Sequence, residues 1–238
     1  LGFNYRTRLT GLDADEAEAM GVLLTRPSPE LDALGMGDAA TRARRKLLES
    51  LPDPVRERAA TAAARFSSDD VSLSWMPLTH DMGLIGKHIF MFANRIENHL
   101  MPTELFIRRP LLWPKFASDV HATILSSPNF GYRHFLKVLD GRSLENIDLS
   151  AVRLIFNGAE PISVALCDEF MNQMAPYGLP RTSMFPVYGL AEATLAVTFP
   201  PAGSAYTHLH FDRHRLNPGE TAGLTTEDQS TALPLMNV

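Results

Sequence analysis

The chain has 238 residues, 45% hydrophobic and 21% charged, an ordinary globular composition long enough for one large core or a core with a small appendage. Lys and Arg number 22 against 27 Asp and Glu, a net charge of -5, which excludes any global attraction to nucleic acid or an anionic membrane. The single cysteine, Cys167, cannot form an internal disulfide and suits a reducing cytoplasm.

Residues 1–58 read as a helical or irregular, solvated segment. "GLDADEAEAM" is acidic, "TRPSPELDALGMGD" is turn-rich, and "ATRARRKLLESLPDPVRERAATAAARF" alternates charge with alanine, so Arg42, Arg44, Arg45 and Lys46 form a solvated face. From residue 71 strands and helices alternate. "VSLSWMPL" is a strand, and a helix-like apolar run follows "HDMG". That run, "MGLIGKHIFMFA", is broken by Lys87 and His88 and falls short of the roughly 20 apolar residues that cross a bilayer, so no membrane insertion is expected. "NHLMP" is a short strand. "RRPLLWPKFASDV" is a helix with Pro110 in its first turn and Leu112, Phe116 and Val120 on one face. "HATILSSP" is a strand, "NFGYRHFLKVL" a helix and "AVRLIFNGA" a β-branched strand.

The next helix, "SVALCDEFMNQM", places Leu166, Phe170 and Met174 on one face behind the N-cap Ser163. "SMFPVYG" and "LAVTFP" close the series as strands. Such alternation predicts an α/β fold with an open, largely parallel sheet and flanking helices. Residues 59–199 form this core. Residues 200–238, turn-rich and weakly patterned, read as an insertion-like tail. No signal peptide is visible, and a chain opening on Leu1 and stopping at Val238 reads as a fragment cut at both ends.

In open parallel sheets ligands bind beyond the carboxyl ends of the strands. Three stretches fall there: "SSPNFGY", "NGAEP" and "YGLAEAT". Gly158, Ala159 and Gly189 would let a flat ligand approach the backbone. Glu192 stands in "PVYGLAEATLAVTFP" without a basic neighbour, costly for a carboxylate unless a cation meets it. Magnesium, which pairs one carboxylate with substrate phosphates, is a candidate; an exposed turn glutamate is the plainer reading.

"SWMPLTHDMGLIG", "SSPNFGY", "FNGAEPIS" and "YGLAEATL", in this order and spacing, resemble the adenylate-forming superfamily. Within it they are most similar to the fatty-acyl-AMP ligases, relatives of acyl-CoA synthetases and luciferase. The resemblance implies activation of a fatty acid with ATP to an acyl-adenylate, followed by transfer to the phosphopantetheine arm of an acyl or peptidyl carrier protein. It implies that Asn157, Gly158, Ala159, Glu160 and Pro161 line the adenine pocket together with Tyr188, Gly189, Leu190 and Ala191. Glu192 is then the magnesium ligand, and His80 sits where acyl and nucleotide pockets meet. Asn129, Phe130, Gly131 and Tyr132 lie beside the acyl tunnel. The tail after Pro200 resembles the extra segment of the fatty-acyl branch by position and length.

The sequence departs from the family in two respects. Its Ser/Thr/Gly-rich phosphate loop with a lysine is absent from residues 1–58, and the C-terminal lysine-bearing domain does not appear before Val238. Backbone N–H groups and a lysine are what hold a triphosphate, so the 238 residues alone are expected not to adenylate efficiently. The alternatives are a homologue that only binds acyl chain or nucleotide, an acyl-CoA ligase, and a metal module built on His208, His210 and His214. Cys167 reads as a structural thiol.

Overall fold

The computed structural model describes residues 35, 36, 38, 39, 42, 46, 66, 67, 69–191, 195, 197–219 and 221–238. The chain divides into two units, Leu1–Ser67 and Ser68–Val238, and the sheet with its helices belongs to the second. The expectations for residues 1–58 fall almost entirely outside the described residues.

Five short strands, β1 (Val71–Ser74), β2 (Glu97–Leu100), β3 (Ile124–Ser126), β4 (Leu154–Asn157) and β5 (Met184–Pro186), pair in the order β2-β1-β3-β4-β5, every pair parallel. This is the α/β sheet the sequence predicts. Parallel neighbours need crossover connections, and helices supply them. A π-helical segment, Met82–Ile89, runs directly into α1 (Phe90–Ala93); α2 (Thr103–Arg108) and α3 (Leu112–Asp119) follow β2. The long crossover helices are α4 (Asn129–Leu139) and α5 (Val164–Met174).

Register assigns the faces. Leu125, Ile155 and Met184 point one way and meet α3, α4 and α5, where Trp113, Tyr132, Phe135 and Phe170 interlock with ring centroids 4.7 to 6.3 Å apart. This is the main core. Ser72, Ser74, Ser126, Phe156 and Phe185 point the other way, towards the π-helical segment and Phe199. Helices therefore cover both faces, and strands buried on both sides read as continuous apolar runs.

Several details differ from the sequence expectations. The buried residues of α3 are Trp113, Pro114 and Ala117, not Leu112, Phe116 and Val120, because the large Trp113 ring packs into the core against Phe106, Phe135 and Phe170 and turns its own face inward. The short helix α2 has no counterpart among the elements expected from the sequence. "LAVTFP" adds no sheet strand: its described residues make one antiparallel bridge, Tyr188 to Thr198, folding the chain back on itself. The tail contains a hairpin, β6 (His208–Asp212) against β7 (Ala232–Met236). Tyr206, just before it, donates to Asp168 of α5 at 2.5 Å, and Arg181 bonds to the same carboxylate and lies under the Tyr206 ring. Among the described residues no helix is long and apolar enough to cross a membrane.

Candidate functional site

Because all five strands run the same way, their carboxyl ends share one edge, and the four motifs are the loops leaving that edge. They continue the sheet's bonding: Ser127 N–H donates to Phe156 O at 3.0 Å and Val187 N–H to Asn157 O at 2.8 Å. A Cβ on Gly158 would stand 3.0 Å from Val187 O. The β4 and β5 exits can approach this closely because that position has no side chain.

His80 follows β1. Its Nδ1 lies 2.7 Å from Asp81 Oδ1, and the Met82 N–H is directed at both, 2.8 Å from the carboxylate and 3.1 Å from the imidazole. Its side chain is half-exposed at the rim. After β3, α4 begins. Phe130 is 49% exposed and stacks on His134, with Trp75 edge-on at 6.5 Å. Gly131 and Tyr132 are buried. Tyr132 turns into the core against Phe170 at 4.7 Å, and burial holds its phenol well above the usual range. Asn129, also buried, reaches across to the next loop: its Nδ2 donates to Pro161 O at 2.7 Å and its Oδ1 accepts from Ser163 N at 3.2 Å.

After β4, Asn157 points inward. Its Nδ2 lies 3.2 Å from Cys167 Sγ, and its Oδ1 has no protein partner. Ala159 takes φ 72, a left-handed conformation that costs a non-glycine residue about 1 kcal/mol or more. Ala159, Glu160 and Pro161 are exposed, and Glu160 Oε1 accepts from Phe130 N at 3.1 Å. After β5, the Tyr188 ring is 52% exposed, Gly189 and Leu190 are half-buried, and Ala191 is exposed. Leu195 N–H donates to Leu190 O at 3.1 Å, closing the loop, and a Cβ on Gly86 would stand 2.7 Å from the Leu195 side chain. Glu192 lies outside the described residues.

An exposed aromatic ring beside small residues and open backbone fits a flat base. The rim stretches 75–81, 127–132, 158–163 and 187–191 contain no Lys or Arg, so nothing there neutralises a triphosphate. Among the described residues no group of three His, Cys, Asp or Glu could hold a metal. His208 and His210 merely pack edge to face on β6, which sets the metal-module reading aside.

Burial pushes the Cys167 thiol up to about 12. With so little thiolate at neutral pH, its reaction with an aromatic disulfide reagent should run about a thousandfold slower in native protein than in urea. Comparable rates would place the thiol at the surface.

An open parallel sheet helical on both faces, with the motif loops at the carboxyl ends of its strands, defines a doubly wound type of α/β domain. Residues 54–224 match the AMP-binding enzyme family, and the chain belongs to it. It is 36% identical over 155 residues to the long-chain-fatty-acid–AMP ligase FadD26 of Mycobacterium tuberculosis, covering 65% of this chain and 27% of that one. It is 35% identical over 133 residues to the medium-chain-fatty-acid–[acyl-carrier-protein] ligase JamA of Moorena producens, covering 56% and 22%. The fatty acyl-adenylate ligase from L. pneumophila, solved with acyl adenylate and pyrophosphate, superposes with a TM-score of 0.68 at 32% identity over 72% of this chain and 30% of that one. The chain thus spans about a quarter of the length of the curated relatives it matches.

Proposed function

We propose that this chain forms the base- and acyl-facing wall of a site that activates a fatty acid with ATP, giving an acyl-adenylate and pyrophosphate, for transfer to the phosphopantetheine of an acyl or peptidyl carrier protein. Residues 59–199 are the AMP-binding core and 200–238 an accessory segment. The observation that carries the reading is the convergence of four motif loops on one sheet edge, with those after β3, β4 and β5 joined by hydrogen bonds. The names of the matching ligases, and the acyl adenylate held by the superposing structure, support the substrate class.

In this reading Tyr188 stacks on the adenine, Gly189, Leu190 and Ala191 border it, and Gly158, Ala159 and Pro161 leave the backbone open to it. Asn157 fixes the β4 exit from within. His80 lies between acyl and phosphate sides, and Phe130 borders the acyl chain, whose burial contributes about 0.8 kcal/mol per methylene. Glu192 would hold magnesium, which would supply charge neutralisation to two approaching anions. A rim without cations leaves the phosphates to residues elsewhere in a longer ligase, and a reducing cytoplasm suits the buried thiol.

The test is a titration of the 238-residue protein with AMP and with a non-hydrolysable acyl-sulfamoyl adenosine, alongside pyrophosphate release with ATP, magnesium and fatty acids. Binding that falls at least tenfold in Tyr188→Ala, with no pyrophosphate above background, is expected. Failure to bind either adenosine compound removes the reading, and brisk pyrophosphate release removes the division of labour.

A further inference from the structure

Three hydrogen bonds join the start of α4 to the loop after β4, and all three come from its first two residues. Asn129 uses both ends of its amide, one on Pro161 O at 2.7 Å and the other on Ser163 N at 3.2 Å. Phe130 N–H donates to Glu160 Oε1 at 3.1 Å, placing a carboxylate at the positive end of an 11-residue helix. The partners lie 30 to 34 residues away in sequence. The loop needs this outside support, since it is entered through a left-handed alanine, Ala159, which favours release rather than order. Its far end is equally fixed: Ser163 Oγ caps α5 by accepting from Leu166 N at 3.3 Å. Asn129 is therefore the buried hub of two helix starts and one loop.

We propose that Asn129 and Glu160 are positioning residues that latch the nucleotide-side loop to the acyl-side helix, so that filling one side strengthens binding on the other. The inference rests on the function proposed above. Phe130, exposed beside Trp75, meets the acyl chain, while the latched loop Gly158–Ser163 meets the base. An acyl chain that settles α4 settles the loop through Asn129, and reciprocity requires the nucleotide to do the same in return. Asn129 thereby acts on the nucleotide although it lies in the motif assigned to the acyl side.

Two measurements on the 238-residue protein test this. Hydrogen exchange without ligand should rise at least tenfold over residues 158–166 in Asn129→Asp, an isosteric change that sets a carboxylate against Pro161 O. It should rise at Phe130 in Glu160→Ala and stay near wild type in Glu160→Gln, whose amide oxygen still accepts. AMP titrations with and without saturating sodium decanoate should show decanoate tightening AMP about tenfold in wild type and less than twofold in Asn129→Asp. Glu160→Ala, an exposed change that leaves the core intact, should show an intermediate effect. Unchanged exchange in Asn129→Asp overturns the latch whether or not nucleotide binds. AMP binding that is indifferent to decanoate in wild type, or equally coupled in Asn129→Asp, overturns the linkage. If the wild type binds no AMP, the proposed function fails, and exchange alone then decides the latch.

Discussion

Gly131→Ala destabilises the domain by about 3 kcal/mol, read as a fall in the urea midpoint followed by tryptophan fluorescence. The alanine Cβ would stand 2.1 Å from Ser127 Oγ and 2.5 Å from Trp75 Cζ2, well inside any contact a carbon tolerates. Neither neighbour can yield easily. Trp75 lies flat on Phe106, with centroids 4.0 Å apart and planes 5° from parallel, and both rings are buried. Ser127 is buried, and its hydroxyl donates to Pro128 O at 2.9 Å. Relief must come from moving the first turn of α4, which carries Asn129 and Phe130 away from Pro161, Ser163 and Glu160. The variant should therefore lose AMP affinity along with stability. Ser127→Ala in the same chain removes the nearer clash and should recover about 1 kcal/mol, a non-additivity expected of neighbours in contact. Stability within about 0.5 kcal/mol of wild type would mean that α4 starts elsewhere than at Asn129.

The legibility of each element in the sequence tracks the strength of its physical signal. The α4 and α5 boundaries are readable because each helix carries its own punctuation: Pro128 precedes the one, and Ser163 caps the other with its own hydroxyl. The sheet is readable from short strand-like runs that alternate regularly with helix-length ones, although β2 and β5 contain no β-branched residue. The β6–β7 hairpin is not, since all of its strand positions are half-buried or exposed and little period-2 contrast survives. Pro234, opposite His210, argues further against a strand, although a two-stranded ribbon has outer edges where a missing N–H costs nothing. For α3 two candidate faces compete, and an apolar stripe at helical spacing outweighs Trp113 and Pro114. The motif loops are found from their residue types, but the side chains do not all face a ligand. Asn157 and Tyr132 turn into the core, and Asn129 turns to a neighbouring loop, choices made by packing between elements that no local pattern encodes. Lys87 is the sharpest case, since the residue that interrupts an apolar run lies inside the protein.

Lys87→Met stabilises the folded protein below neutral pH by roughly 5 kcal/mol, and the gain vanishes towards pH 10. Lys87 is only 2% exposed. Its Nζ donates to Leu125 O at 3.2 Å and sits 4.7 Å above the Phe156 ring. The π winding brings it there: Phe90 N–H bonds back five residues to Ile85 O, and the buried positions Met82, Lys87 and Met91 recur every four or five residues rather than every 3.6. One carbonyl and one aromatic face do not replace the water an ammonium loses, so burial lowers its pKa from 10.5 to about 7 despite the attraction of Asp70. Proton counts set the sign. Between pH 7 and 10.5 the unfolded chain holds a proton that the folded chain has released, so stability rises with pH across that window. Below pH 7 both states are charged and the folded one bears the whole cost, whereas above 10.5 both are neutral and the cost is gone. Methionine fills nearly the same volume without a charge, so the difference between variant and wild type isolates this one group from every other titration. Urea midpoints at half-unit steps from pH 6 to 10 measure it. Parallel curves for the two proteins would mean that the ammonium reaches water, and that the sheet face beneath the π-helical segment is open to solvent rather than closed.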